Sequence, residues 1–250
     1  LEPLEQSSGD VGVFSRISWQ NLLVMVVMAL VVCALGNSDR TFHFRMRMEE
    51  CMVKGNFAEA TQVGVKEAAT DSSLTMLRVW ALSENHMLGD RLFSYPLVGG
   101  SDAMLPNGAS VKLMMADERK LYAHLGVVFI QKMRPRVYLE TLHKAHRTTA
   151  AAHDWLLCAY LLDRDLNQFV RHLAKYYPIN EQLPKHYKEA LIIYKHTTSH
   201  PLISYYNNVK EADYDDFQDL GDKYGNKRER YTALRDKYGD TYWFYYHYKR

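Results

Sequence analysis

The rhythm of apolar and polar positions changes at Gly36. Before it, residues 22–35 (LLVMVVMALVVCAL) form an unbroken apolar run; after it, more than 200 residues carry apolar positions at the 3.6-residue period of amphipathic helices. Fourteen residues fall short of the roughly 20 that a membrane-crossing helix needs. Extending the run back through Trp19 to Ile17 and on to Gly36 gives 20 residues, interrupted only by Ser18, Gln20 and Asn21. Trp19 then stands where an interfacial aromatic belongs. The expected organisation is a polar linker at 1–16, a transmembrane helix at 17–36 and a water-facing helical domain at 37–250.

Two other readings of the run stay open. A signal-peptide core fits Arg16 ahead of the run and the small residues Ala34 and Gly36, but Glu2, Glu5 and Asp10 are unlike a positive leader. A helix buried in a protein core is the other. A lipoprotein box at Cys33 fails, because Val32 stands where a small residue is needed. The chain starts at Leu1 with a polar connecting stretch, which leads us to expect the tail of a longer protein. Arg40, Arg45, Arg47 and Lys54 follow the run, so the positive-inside rule taken alone places the helical domain in the cytoplasm; its side of the membrane stays undetermined.

The helical domain shows repeat-like punctuation. Gly55-Asn56-Phe57-Ala58-Glu59-Ala60 has the form of the turn inside a tetratricopeptide repeat, and Gly89-Asp90 recurs 34 residues later. Helices are expected at 74–85 after an Asp71 or Ser72 cap, at 110–125 before Gly126, and from Pro135 to His146. More are expected at 150–162 and 166–177 around a turn at Asp163, at 185–198 between Pro184 and Pro201, and at 212–224 and 227–238, each closed by Asp-Lys-Tyr-Gly. Strand alternation of useful length is missing. The expected fold class is all-α: one N-terminal transmembrane helix followed by an α-solenoid-like, tetratricopeptide-like array of five or six helix pairs.

Composition narrows the function. A net charge of +2 gives no support for nucleic-acid binding. Three cysteines without a CxxC pair read as small buried side chains, with a Cys51–Cys158 disulfide left open in an oxidising compartment. No cofactor or metal site is expected. His143, His146 and His153 have a spacing that could gather metal ligands, but Thr148-Thr149 looks like a helix break, and they read as surface histidines. His196 and His200 fit a helix C-terminus. The loop at 95–108 (YPLVGGSDAMLPNG) is long and irregular, as binding loops are. It supplies Tyr95, Asp102 and Asn107 as candidate binding residues, with a structural spacer as the competing reading and no nucleotide-loop motif. The end of the chain is aromatic at six of the seven residues 242–248. Tyr242, Trp243, Phe244 and Tyr245 are read as a cap on the last apolar face, or as a docking or bilayer-interface patch. Asp215-Asp216 reads as a solvated face. No Ser-His-Asp order, nucleophile elbow or HExxH is present, so no catalytic residue is assigned.

The stretches LGDRLFSYP (88–96), SDAMLPNG (101–108), DWLLCAYLLDRDL (154–166) and YGDTYWFYY (238–246) resemble an uncharacterised family of bacterial polytopic membrane proteins with a C-terminal tetratricopeptide-like helical domain. The resemblance implies that 17–36 is the last of several spans in a bacterial inner membrane, and it brings no catalytic residues. Three roles follow as expectations: a membrane-tethered interaction or assembly module, the soluble tail of a glycosyltransferase-like membrane transferase using the 95–108 loop, or a structural brace.

Overall fold

The computed structural model describes residues 16–36, 38–65, 67–127 and 133–248. The chain divides into two compact units, Leu1–Asp39 and Arg40–Arg250.

The first unit carries α1 (Arg16–Leu35), 20 residues long. Its apolar side chains are not confined to one stripe, and they are exposed: Leu23 is 65% accessible, Met25 70% and Val32 69%. Among the described residues no helix is long and apolar enough to cross a membrane. The continuous stretch of α1 whose side chains are described, 18–33, is about 24 Å long at 1.5 Å per residue.

The second unit is all helical, with no strand among its described residues. α2 (Arg40–Val53) turns at Gly55 into the single turn α3 (Phe57–Ala60). α4 (Ser72–Glu84) begins at Asp71, whose carboxylate accepts from the Leu74 amide at 2.6 Å. α5 (Leu88–Arg91) runs into a 3₁₀ turn at Leu92–Ser94. A second 3₁₀ turn lies at Gly100–Ala103. Then come α6 (Glu118–Leu125), α7 (Pro135–Lys144), α8 (Ala150–Leu162), α9 (Leu166–Tyr176), α10 (Lys185–Thr197), α11 (Asn208–Asp222), α12 (Lys227–Tyr238) and α13 (Tyr242–Tyr248). Asn56, Asp117, Thr149, Asp165, Asn207 and Asn226 cap helix starts through their side chains, as short polar residues do by accepting an otherwise unpaired amide.

Four of these helices stop in the same way. The amides of Gly55 and Asn56 bond back to Met52 and Cys51; those of His86 and Met87 to Ser83 and Leu82; those of His146 and Arg147 to His143 and Leu142; those of Arg164 and Asp165 to Leu161 and Tyr160. This is the Schellman pattern, with the first residue of each pair in the left-handed region: φ is 76° at Gly55, 55° at His86, 53° at His146 and 59° at Arg164. The turn that answers Gly55 is therefore His86, not the Gly89-Asp90 pair expected from its 34-residue spacing. Gly89 serves packing: a Cβ there would stand 2.8 Å from both Pro184 Cβ and Tyr187 Cζ, so its absence lets α5 lie against α10.

α4, α8 and α10 are buried on nearly every face. α8 packs against α4, α5, α6, α7 and α9, and α10 reaches back to α5 as well as to α9, α11 and α13. A strict array would let each pair touch only its neighbours; these helices instead enclose one shared core. The helix expected over 110–125 forms only from Glu118. The buried Glu49 carboxylate accepts the amides of Met114, Met115 and Ala116 and holds 114–116 as irregular chain, and Asp117 then caps α6.

The turn chemistry is testable. A side chain added at Gly55 meets open space, so Gly55→Val isolates backbone strain and is expected to cost about 1–2 kcal/mol. His146→Gly should shift stability by less than about 1 kcal/mol in the stabilising direction, since relief of the left-handed strain is partly offset by greater freedom in the unfolded chain. Urea titrations of both variants check this.

Candidate functional site

α2, the Gly55 turn, α3, α4 and the start of α6 surround a cavity of about 200 Å³. Met52, Val53, Phe57, Trp80 and Ala116 give it an apolar lining, while Glu84, Asp117 and Lys120 supply charge. Behind it runs a polar chain. The Trp80 indole N–H donates to Glu84 Oε1 at 3.0 Å, His124 Nδ1 stands 3.4 Å from the same oxygen, and His124 Nε2 lies 2.8 Å from Ser83 Oγ. Burial pushes the His124 imidazole down, and the Glu84 carboxylate only partly opposes this.

Ser83, His124 and Glu84 thus stand in the order hydroxyl, imidazole, carboxylate that activates a nucleophile. Sequence order gave no signal for it, because His124 is brought in from another helix. Two facts argue against acyl transfer there. Ser83 is 4% exposed, and it lies in the last turn of α4, where a helix presents carbonyl oxygens rather than the N–H donors an oxyanion needs. The chain's effect is to fix Glu84 and Trp80 at the wall of the cavity.

The three loop candidates part company. Tyr95 is buried; its hydroxyl donates to the Thr61 carbonyl at 2.8 Å, and the Arg78 guanidinium lies 5.5 Å from its ring centre. Asp102 and Asn107 share a cleft of about 390 Å³ with Leu105, Pro106, Ser110, Met133, Arg134 and Pro135. Asn107 spends its carbonyl oxygen on the amides of Ala109, Ser110 and Val111, which shapes its own loop. Asp102 is exposed.

Tyr242, Trp243, Phe244 and Tyr245 lie buried in α13, which packs on α10 and α12. Glu189 of α10 holds them. Its Oε2 accepts the Tyr242 amide at 2.8 Å and lies 2.9 Å from His186 Nδ1, while its backbone carbonyl accepts the Trp243 indole N–H at 3.0 Å. His186 Nε2 accepts from the Phe93 amide, so Nδ1 carries the proton donated to Glu189. Tyr242 and Tyr245 hydroxyls donate to the carbonyls of Leu161 and Leu162 at the end of α8.

The histidines read from sequence as a surface group are half-buried in part. His143 and His153 meet at Tyr176: His153 stacks on its ring at 3.9 Å, and His143 Nδ1 hydrogen-bonds its hydroxyl while His172 packs edge-on against His143. His146 is exposed at its turn. Among the described residues no group of three or more His, Cys, Asp or Glu could hold a metal ion. Cys51 and Cys158 are buried free thiols. Burial pushes the Cys158 thiol well up, which removes it as a nucleophile. His196 pairs with Glu211, together with Lys195.

Residues 113–249, more than half of the chain, match the family of unknown function DUF6057. The chain belongs to the DUF6057 family. Comparison with curated proteins and with solved structures returns no match. The part of this DUF6057 chain inside the match includes Ala116, Asp117 and Lys120 of the cavity and His124 behind it, but Trp80 and Glu84 lie before it.

Two outcomes follow. Trp243→Ala removes a buried ring together with the hydrogen bond that its indole N–H donates to the Glu189 carbonyl, and is expected to cost about 3–5 kcal/mol in chemical denaturation. The second concerns pH. Burial, aided by His172 and Lys175, pushes the His143 imidazole below its ordinary 6.5, and burial does the same at His153. The folded protein keeps these rings neutral where the unfolded chain takes up protons. Stability from them is full above about pH 6.5 and falls as pH drops toward 5. His143→Gln should flatten this slope in thermal melts across that range.

Proposed function

We propose that the chain is a membrane-tethered helical domain serving protein–protein interaction or assembly, in the inner membrane of a bacterium. One observation carries the tether: α1 presents apolar side chains all round, and they are exposed over most of its length. A helix with no polar face has no stable place in water; it needs lipid or other apolar helices around it. The described side chains of 18–33 fall short of a full crossing, and the sequence adds Ile17, Ala34, Leu35 and Gly36 to the apolar length. The resemblance to polytopic bacterial proteins supports neighbouring spans as part of that environment.

The interaction role is supported by the second unit. Its repeated Schellman turns, each followed by a short helix or a capped one at α2–α3 and α8–α9, are tetratricopeptide-like in form. The Ser83–His124–Glu84 chain sits at a helix C-terminus, which offers no N–H donors for an acyl-transfer oxyanion.

The test is extraction of the full chain, expressed in a bacterial host, from washed membranes with alkaline carbonate. The wild-type chain is expected to stay in the pellet. Val27→Lys with Leu30→Lys, each costing about 2.5–3.5 kcal/mol near a bilayer centre, should release it without loss of helical circular dichroism. Wild-type protein in the supernatant would overturn the tether.

A further inference from the structure

We propose that the cavity between α2, α4 and α6 binds a cationic side chain on an apolar stem: a guanidinium or ammonium group from a basic segment of a partner polypeptide. Its floor is aromatic. The Phe57 and Trp80 rings lie 6.3 Å apart at 48°, with Met52 beside them and Val53, 55% exposed, at the mouth. Such rings favour the methylene stem of a long basic side chain and attract its charge.

Two carboxylates give the site its sign. Glu84 spends Oε1 on the Trp80 indole and on His124; Asp117 spends Oδ1 on the Arg119 amide. The second oxygen of each has no hydrogen-bond partner among the described residues, so two acceptors remain for an incoming donor. Glu84 is fixed by the Trp80–His124–Ser83 chain and Asp117 by its capping role, so neither has to be ordered on binding. A volume of about 200 Å³ admits one side chain rather than a folded surface.

Lys120 also lines the cavity, and among the described residues it forms no ion pair with either carboxylate. It is a competing cation from the chain itself, which fixes the sign of a test. Removing it should strengthen binding of a cation and weaken binding of an anion.

The inference does not rest on α1, and its test does not read membrane attachment. The full chain in detergent micelles, carrying 5-fluorotryptophan, is titrated with N-butylguanidinium, then with a Leu-Arg-Leu peptide. The Trp80 fluorine resonance is assigned by Trp80→Phe. Both probes should shift it saturably, and the neutral N-butylurea should do so far less. Glu84→Gln and, separately, Asp117→Asn should weaken binding by about tenfold, the loss of one charge-assisted contact. Lys120→Ala should tighten it. Asp117→Asn keeps a capping side chain and so tests charge with the fold intact. A silent Trp80 resonance, an equal response to N-butylurea, or carboxylate variants that bind like the wild type would overturn the site. Weaker binding by Lys120→Ala would overturn its sign, and binding of the small cation without the peptide would overturn the polypeptide partner.

Discussion

Three helices with buried side chains on nearly every face, α4, α8 and α10, have to be covered from all sides, and the rest of the second unit follows from that constraint. A helix with one apolar stripe can lie on a surface; a helix buried on nearly every face needs neighbours on every side. α2, α3, α6, α7, α9, α11 and α13 do the covering, each with an apolar stripe inward. The cover cannot be laid in simple sequence order. α5 must reach α10, where Gly89 allows the approach, and α13 must fold back on α10 before the core is closed.

Apolar covering does not say where irregular chain should sit, and three buried charged side chains do. Glu49 gathers the amides of 114–116. Arg78 reaches the carbonyls of Gly64 and Pro96 and the Thr70 hydroxyl. Burial lowers its pKa to about 10, still far enough above neutral for it to stay charged. Glu189 joins His186, the Tyr242 amide and, through its backbone, Trp243. Each charged hydrogen bond contributes about 1.5–3 kcal/mol, and removing one partner leaves the others stranded in the core. Together they fix loops that have no periodicity of their own.

That division explains what could be read from the sequence. Local signals were legible: Asp71 as a cap, the turn at Asp163, Pro135 as a first-turn residue, and both ends of α8 and α12. Signals with a local but less familiar form were misplaced. Three of the four left-handed turn residues are His or Arg, so the glycine signature of such turns points to Gly55 and to Gly89 rather than to His86. Long-range pairings left no trace. Nothing near Ser110 announces that Glu49 will claim the next amides, and nothing in the spacing of His143 and His153 brings in His172 and Tyr176. Of the loop candidates, Asp102 and Asn107 meet at one cleft, whereas Tyr95 turned inward because the Thr61 carbonyl and the Arg78 guanidinium needed it there. The cavity with Trp80 and Glu84 leaves no local signal, because its walls come from three separate segments, 52–57, 80–84 and 116–120.

The family match begins at Leu113, but the physical unit does not. The Glu49 carboxylate binds the very next amides, 114–116. His186 takes the Phe93 amide, the Lys185 amide is held by Asp90, and Ser101 donates both its amide and its hydroxyl to Asp163. α8 and α10, both inside the match, bury faces against α4 and α5, both outside it. A chain cut at 113 would therefore expose two central helices and leave the 114–116 amides without the Glu49 carboxylate and the α10 start without Asp90. The residues from Arg40 to Lys112 are part of the same core as the matched segment, and a cavity built from Trp80 and Glu84 on one side and Asp117 and Lys120 on the other can exist only when both are present.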